Sequence, residues 1–124
     1  MSEETVYTID DRPLAGTLEL LDVQKVIDET TERWANRTLC RVDDVVVRLG
    51  VLQGEFHWHK HDDEDECFIV LDGELIIDIE GRGSITLERH RGYTIPKGIV
   101  HRTRANERTT CLMVEAAGVV PTGD

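Results

Sequence analysis

The chain has 124 residues, 40% of them hydrophobic, enough for one compact domain with a single core and too little for two. Twenty-five Asp and Glu against 14 Lys and Arg leave a formal net charge of -11, so a nucleic-acid phosphate backbone or an anionic membrane surface would be repelled. No apolar run approaches the length of a membrane span and no apolar stretch follows the acidic Met1–Glu4, so a soluble, cytoplasmic protein is expected.

In chain order, the first predicted element is a helix over residues 18–35, where Leu20, Val23, Val26, Ile27 and Trp34 recur every three to four positions and Asp22 can cap the start. From Cys40 onward the pattern changes to short β-rich runs. These are 44–52, 55–61, 67–71, 75–80, 84–87, 93–95, 100–103 and 109–115, spaced every eight to twelve residues. Turn signals separate them, and Asp72-Gly73 between two apolar runs reads as a hairpin. Within 75–80, alternation turns Leu75, Ile77 and Ile79 inward and leaves Ile76, Asp78 and Glu80 outward. Many short antiparallel strands make an all-β sandwich or barrel, with no repeat, linker or second domain. Cys40, Cys67 and Cys111 are odd in number and widely spaced, which suits free thiols rather than a disulfide framework or a Cys-x-x-Cys site.

Four of the five histidines lie in two short segments, His57-Trp58-His59-Lys60-His61 and Pro96-Lys97-Gly98-Ile99-Val100-His101. In a strand alternate side chains share a face, so His59 and His61 can point into one space, with Glu66 five residues further on. A third imidazole from elsewhere would complete a metal site. His57 has the same parity and reads as a base or substrate contact behind the metal, or as turned outward by a bulge near Gly54. An inward Arg48 can hold a substrate carboxylate, and Tyr93 is a candidate proton donor or a packed aromatic. Phe56, Trp58 and Phe68 read as core or dimer contacts, Asp62–Asp65 as a solvated acidic loop, His90 as an exposed turn residue and Pro121–Asp124 as an exposed end.

His59-x-His61-x4-Glu66-x6-Gly73 resembles the first motif of the cupin family, and Pro96-x-Gly98-x2-His101 resembles the second. The resemblance covers roughly residues 44–116. It implies an antiparallel jelly-roll barrel whose mouth holds one divalent metal on His59, His61, Glu66 and His101. On it the chain divides into an N-terminal helical and edge-strand extension (1–40), the cupin barrel (41–117) and a tail (118–124). The departures are in the loops: Gln53 and His90 stand where the motifs open with Gly, with Gly54 and Gly92 close by, and Ala105 stands where Asn is usual, with Asn106 next.

Three imidazoles and one carboxylate suit Fe, Mn, Ni, Co, Cu or Zn and leave one or two positions free on a five- or six-coordinate ion. No Ser-His-Asp arrangement, phosphate loop or dinucleotide fingerprint is present, so any chemistry would run through the metal. Two functions follow. One is an enzyme of dioxygenase, isomerase or lyase type acting on a small metabolite, marked by an open site in a polar cleft with Arg48 or His57. The other is a binding or sensing module without turnover, marked by a narrow apolar cavity lined by residues such as Leu75, Ile77 and Met113. A homodimer through an edge strand, covered by the segment with Leu18, Leu20 and Val23, is expected.

Overall fold

The structure, a computed structural model, describes residues 7–124; the acidic start at Met1–Glu4 lies outside the described residues. Its elements are β1 (Thr8–Asp10), α1 (Val23–Glu29), β2 (Trp34–Val42), β3 (Val45–Glu55), β4 (Glu66–Asp72), β5 (Leu75–Ile79), β6 (Gly83–Leu87), β7 (Gly92–Ile95) and β8 (His101–Ala116). No helix among the described residues is long and apolar enough to cross a membrane.

The long strands β3 and β8 form the spine, paired antiparallel from Val45 opposite Ala116 to Glu55 opposite Arg104. On its other edge β8 takes β5 near its start, with Ile79 opposite His101, and β4 near its end, with Glu66 opposite Glu115. Strands β4 and β5 therefore follow one another along the same edge. Asp72-Gly73 is a corner between them, not the expected hairpin: Gly73 sits at φ +86°, and a Cβ there would stand 2.5 Å from Thr109 Oγ1. Only glycine meets both constraints without strain.

The path β1-β2-β3-β8-β4-β7 ends on β1 and β7 without joining them, so the eight-stranded sheet is an open jelly roll and not a hydrogen-bonded closed barrel. The runs expected at 100–103 and 109–115 are one continuous strand, whereas 55–61 leaves the ladder after Glu55.

The helix is shorter than its periodicity predicts. Asp22 caps it, accepting a bond from Lys25 N at 3.1 Å, but it ends at Glu29 ahead of the β-branched pair Thr30-Thr31. Trp34 belongs instead to β2, which pairs with β3 from Trp34 opposite Leu52 to Val42 opposite Val45. Non-local pairing outweighs local periodicity here. Inside the roll, Phe56, Phe68, Val70, Leu75, Ile77, Ile79, Ile95 and Met113 pack into one buried cluster. On the outer side Leu39, Leu49 and Val51 pack against Val23, Val26 and Ile27 of α1.

Candidate metal centre

His59, His61, Glu66 and His101 converge, with one ligand atom from each lying within 4.8 Å of all the others. Glu66 opens β4 and His101 opens β8, while His59 and His61 sit on the segment that crosses between the two halves of the roll. That segment is held by its backbone: His59 and His101 exchange both N–H···O bonds at 2.9 Å, and Gly98 N donates to His61 O at 2.8 Å. The second motif thus serves the first as a backbone partner. Asp65 adds to this by accepting from Lys97 N at 3.0 Å, which gives one acid of the 62–65 run a structural task.

Two of the imidazoles are fixed in tautomer. A carbonyl only accepts, so Nδ1 of His59 donates to His57 O (3.0 Å) and Nδ1 of His101 donates to Ile99 O (2.9 Å), leaving each Nε2 free as a lone-pair donor. His61 Nε2 and His101 Nε2 stand 3.6 and 3.5 Å from Glu66 Oε1. Those three atoms are buried and have no hydrogen-bond partner. Buried polar atoms are normally satisfied, so a cluster of orphans that are all good transition-metal ligands fits a metal ion.

The electrostatics agree. Burial drives the His59 pKa down to about 4, with His101 and His61 pushing the same way, so this ring is neutral and free to ligate. For His61 burial pulls downward, but contact with Glu66 outweighs it and raises the value. Burial pushes Glu66 upward, yet the neighbouring Glu115, His101 and His61 hold it well below the usual carboxylate range. Glu115, directly opposite Glu66, moves the other way: burial and the neighbouring Glu66 raise it, against the pull of Arg48.

Behind the cluster lies a small cavity of about 30 Å³, walled mostly by apolar side chains including Trp34, Leu52, Phe56, Phe68, Leu75 and Met113, with Asn36, Thr103, His59 and Glu66 as its polar part. It has room for about one or two waters. The thiol of Cys111 also faces it, and burial pushes that thiol up to about 12, which makes it an inert wall rather than a nucleophile.

The other residues singled out by the sequence fall elsewhere. Arg48 does point inward, but its side chain is only 3% exposed and its Nη1 is committed to Glu115 Oε1 (2.7 Å) and Val119 O (3.1 Å), so the chain's own carboxylate occupies the place expected for a substrate's. Tyr93 is half-buried against the core cluster and outside the cavity lining, the arrangement of a packed aromatic. His57 is exposed and its Nε2 donates to Thr122 O at 2.7 Å. The reason is a count: three steps lead from Phe56 to His59 while two lead from their partners Thr103 to His101, and the extra residue turns His57 out while Phe56 and His59 both face in. Trp58 lies 46% exposed under the Arg102 guanidinium, at 5.0 Å, and is no core residue.

Pro121–Asp124, expected to be an exposed end, belong instead to a segment, 117–124, that packs across the mouth. Asp124 N donates to Lys60 O (2.9 Å), Asp62 N donates to Asp124 Oδ2 (2.6 Å), and a Cβ on Gly123 would stand 2.6 Å from His59 Cβ. Pro121 lines the cavity and Val119 is 3% exposed. Sequence reasoning missed this segment and Glu115. Only Glu115 left a signal, as an acid at the inward parity of the run Cys111, Met113, Glu115.

An open antiparallel roll with a three-histidine, one-glutamate cluster at its mouth defines a cupin-type domain. The cupin domain family matches residues 45–116, and the chain belongs to that family. It is 47% identical over 90 residues to the uncharacterized protein YdbB of Bacillus subtilis (strain 168), covering 73% of this chain and 80% of that one. A cupin-2 domain containing protein from Shewanella frigidimarina NCIMB 400 superposes with a TM-score of 0.74 at 32% identity, covering 78% of this chain and 94% of that one. Protein NMB1881 from Neisseria meningitidis shares the fold with a TM-score of 0.72 at 21% identity, covering 79% and 99% respectively.

Proposed function

We propose that this chain is a metal-dependent enzyme in which His59, His61, Glu66 and His101 hold one divalent ion, Fe, Mn, Ni, Co, Cu or Zn, and which acts on a small metabolite by dioxygenase, isomerase or lyase chemistry. The observation that carries this reading is the convergence of four ligand atoms, three of them buried with no other partner. When bound, such an ion supplies Lewis acidity or oxygen activation. The protein's own part is to orient the His59 and His101 rings through their Nδ1 bonds, to keep the surroundings dry with Phe56, Phe68 and Met113, and to cover the mouth with residues 117–124. The cavity behind the centre has room for something of about the size of water or dioxygen.

The test is elemental analysis of untagged protein beside His59→Ala and His101→Ala, followed by oxygen-uptake assays on the loaded protein. Near-stoichiometric Fe or Mn, lost in both variants, is the expected result. No metal after reconstitution with each candidate ion would remove this reading.

A second reading, a metal-containing binding or sensing module without turnover, is favoured by the apolar walls and by the engagement of Arg48 with Glu115. It predicts stoichiometric ligand uptake with no product. In either case we propose a homodimer, because Leu18 and Leu20, between β1 and α1, are fully or almost fully exposed. Three free thiols fit a reducing compartment, the cytoplasm. The net charge of -11 disfavours nucleic acid and anionic membranes as partners.

A further inference from the structure

An open groove of about 490 Å³ lies between α1, the end of β4, the turn that joins β6 to β7 and β8, and none of the four metal-cluster residues lines it. That volume falls within the roughly 300–1,000 Å³ of small-molecule sites. Val23, Ile27 and Leu71 give it apolar wall, while Arg89, His90 and Arg108 bring two guanidiniums and an imidazole to it. Elsewhere in this acidic chain Arg37, Arg41, Arg48, Arg91, Arg102 and Arg104 all pair with carboxylates. Among the described residues Arg89 and Arg108 pair with none: Arg108 spends Nη2 on the Ile27 and Thr30 carbonyls at the end of α1 (3.3 and 2.6 Å), and the exposed Arg89 side chain has no hydrogen-bond partner.

The turn keeps a strained shape to present these groups. His90 sits at φ +68°, in the left-handed region that glycine enters at lower cost. It is held there by β4, through His90 N to Val70 O at 2.7 Å and Val70 N to Arg91 O at 3.0 Å. Strain that a fold retains gathers at ligand sites. The hydroxyl of Thr110, a lining residue on β8, is buried with no hydrogen-bond partner, a further polar group left unused. Asp72 is the one carboxylate lining the groove, so the two guanidiniums exceed it by one charge.

We propose that this groove is a second ligand site, which binds a short aliphatic monocarboxylate: Arg89 and Arg108 hold the carboxylate, His90 adds a hydrogen bond, and Val23, Ile27 and Leu71 cover the alkyl chain. A guanidinium is a planar fork that matches a carboxylate, and one surplus positive charge suits a monoanion better than a dianionic phosphate. The site shares no residue with the metal cluster, so it stands or falls apart from the metal reading.

The experiment titrates the 15N-labelled full chain with hexanoate, hexanol and inorganic phosphate and follows the backbone amide shifts. It is repeated on Arg89→Ala, His90→Gly and a control, Arg82→Ala, an exposed arginine of the β5–β6 turn outside the groove. Saturable hexanoate shifts centred on Ile27, Leu71, His90 and Thr110 are expected. Arg89→Ala should bind hexanoate about tenfold more weakly, with an unchanged thermal transition because Arg89 has no partner to lose. His90→Gly relieves the turn, so its thermal transition should hold or rise while hexanoate binding weakens. Arg82→Ala should keep the wild-type affinity.

Should His90→Gly fail to fold, Arg89→Ala decides, because its side chain is exposed and supports nothing else. Hexanol that binds as well as hexanoate would leave the arginines without a part and overturn the carboxylate assignment. Phosphate that displaces hexanoate and binds more tightly would overturn the monocarboxylate in favour of a phosphate-bearing ligand. An equal loss of affinity in Arg82→Ala would reduce the effect to diffuse charge attraction and overturn the site. So would the absence of saturable hexanoate shifts at the groove.

Discussion

Asp78 illustrates how a single buried charge is kept in this fold. It lies 6% exposed on β5, accepts bonds from Arg102 Nε and Arg104 Nε at 2.8 Å and from Arg104 Nη2 at 3.1 Å, and is also bonded by Ser84. Arg104 above all, then Ser84 and Arg102, hold its carboxyl well below the usual range against the upward push of burial. A depressed folded-state pKa means that the contribution to stability is complete above the ordinary value near 4 and is lost as pH falls below it. Asp78→Asn should therefore cost about 1–3 kcal/mol at neutral pH, with the gap to wild type closing on acidification below about pH 4. Thermal unfolding of both proteins between pH 7 and pH 2 checks this. A gap that stays constant would show that the arginine contacts are not what Asp78 contributes.

At the scale of elements, the informative segment is 117–124. It has neither the period of a helix nor that of a strand, and it is held by backbone bonds at Ala117 and Asp124, by Arg48 on Val119 O and by His57 on Thr122 O. Gly123, at φ +92°, is its point of closest approach to the cluster, against His59. In Gly123→Val both the φ and the missing space oppose the side chain. The expected outcome is a detached segment, seen as faster amide exchange at Asp62 and Asp124 and faster removal of bound Co2+ by EDTA, with the core amides of β3 and β8 unchanged. Unchanged extraction would mean that the segment covers the mouth without limiting access to it.

For the whole molecule, the open ends of the sheet matter most. Strand β1 is three residues long and among the described residues pairs only with β2, in parallel, and Leu18 and Leu20, in the segment between β1 and α1, are 108% and 93% exposed. Two exposed leucines on the segment that follows an edge strand are what a second copy of the chain would bury. Sedimentation equilibrium at micromolar concentration should give twice the 14.1 kDa chain mass, and Leu18→Glu/Leu20→Glu should shift the protein to monomer. A wild-type monomer would end the dimer reading and leave those leucines without a partner.

Much of this was legible in the sequence because short-range patterns govern it. The β-rich runs, the inward Leu75, Ile77 and Ile79 and the cap at Asp22 follow from periodicity and cap chemistry, and the grouping of His59, His61, Glu66 and His101 followed from the resemblance of their two motifs to the cupin family. The tertiary structure decided whatever depends on a distant partner. Trp34 to Val42 became a strand because β3 was there to pair with, and Asp72-Gly73 became a corner because β4 and β5 pair in succession along one edge of β8. His57 turned outward because one extra residue fell between two backbone bonds, and Arg48 met Glu115, 67 residues away, before any substrate could. Local spacing specifies which side chains share a face, whereas the partner each face meets is set by ladder register and chain return, which no window of the sequence contains.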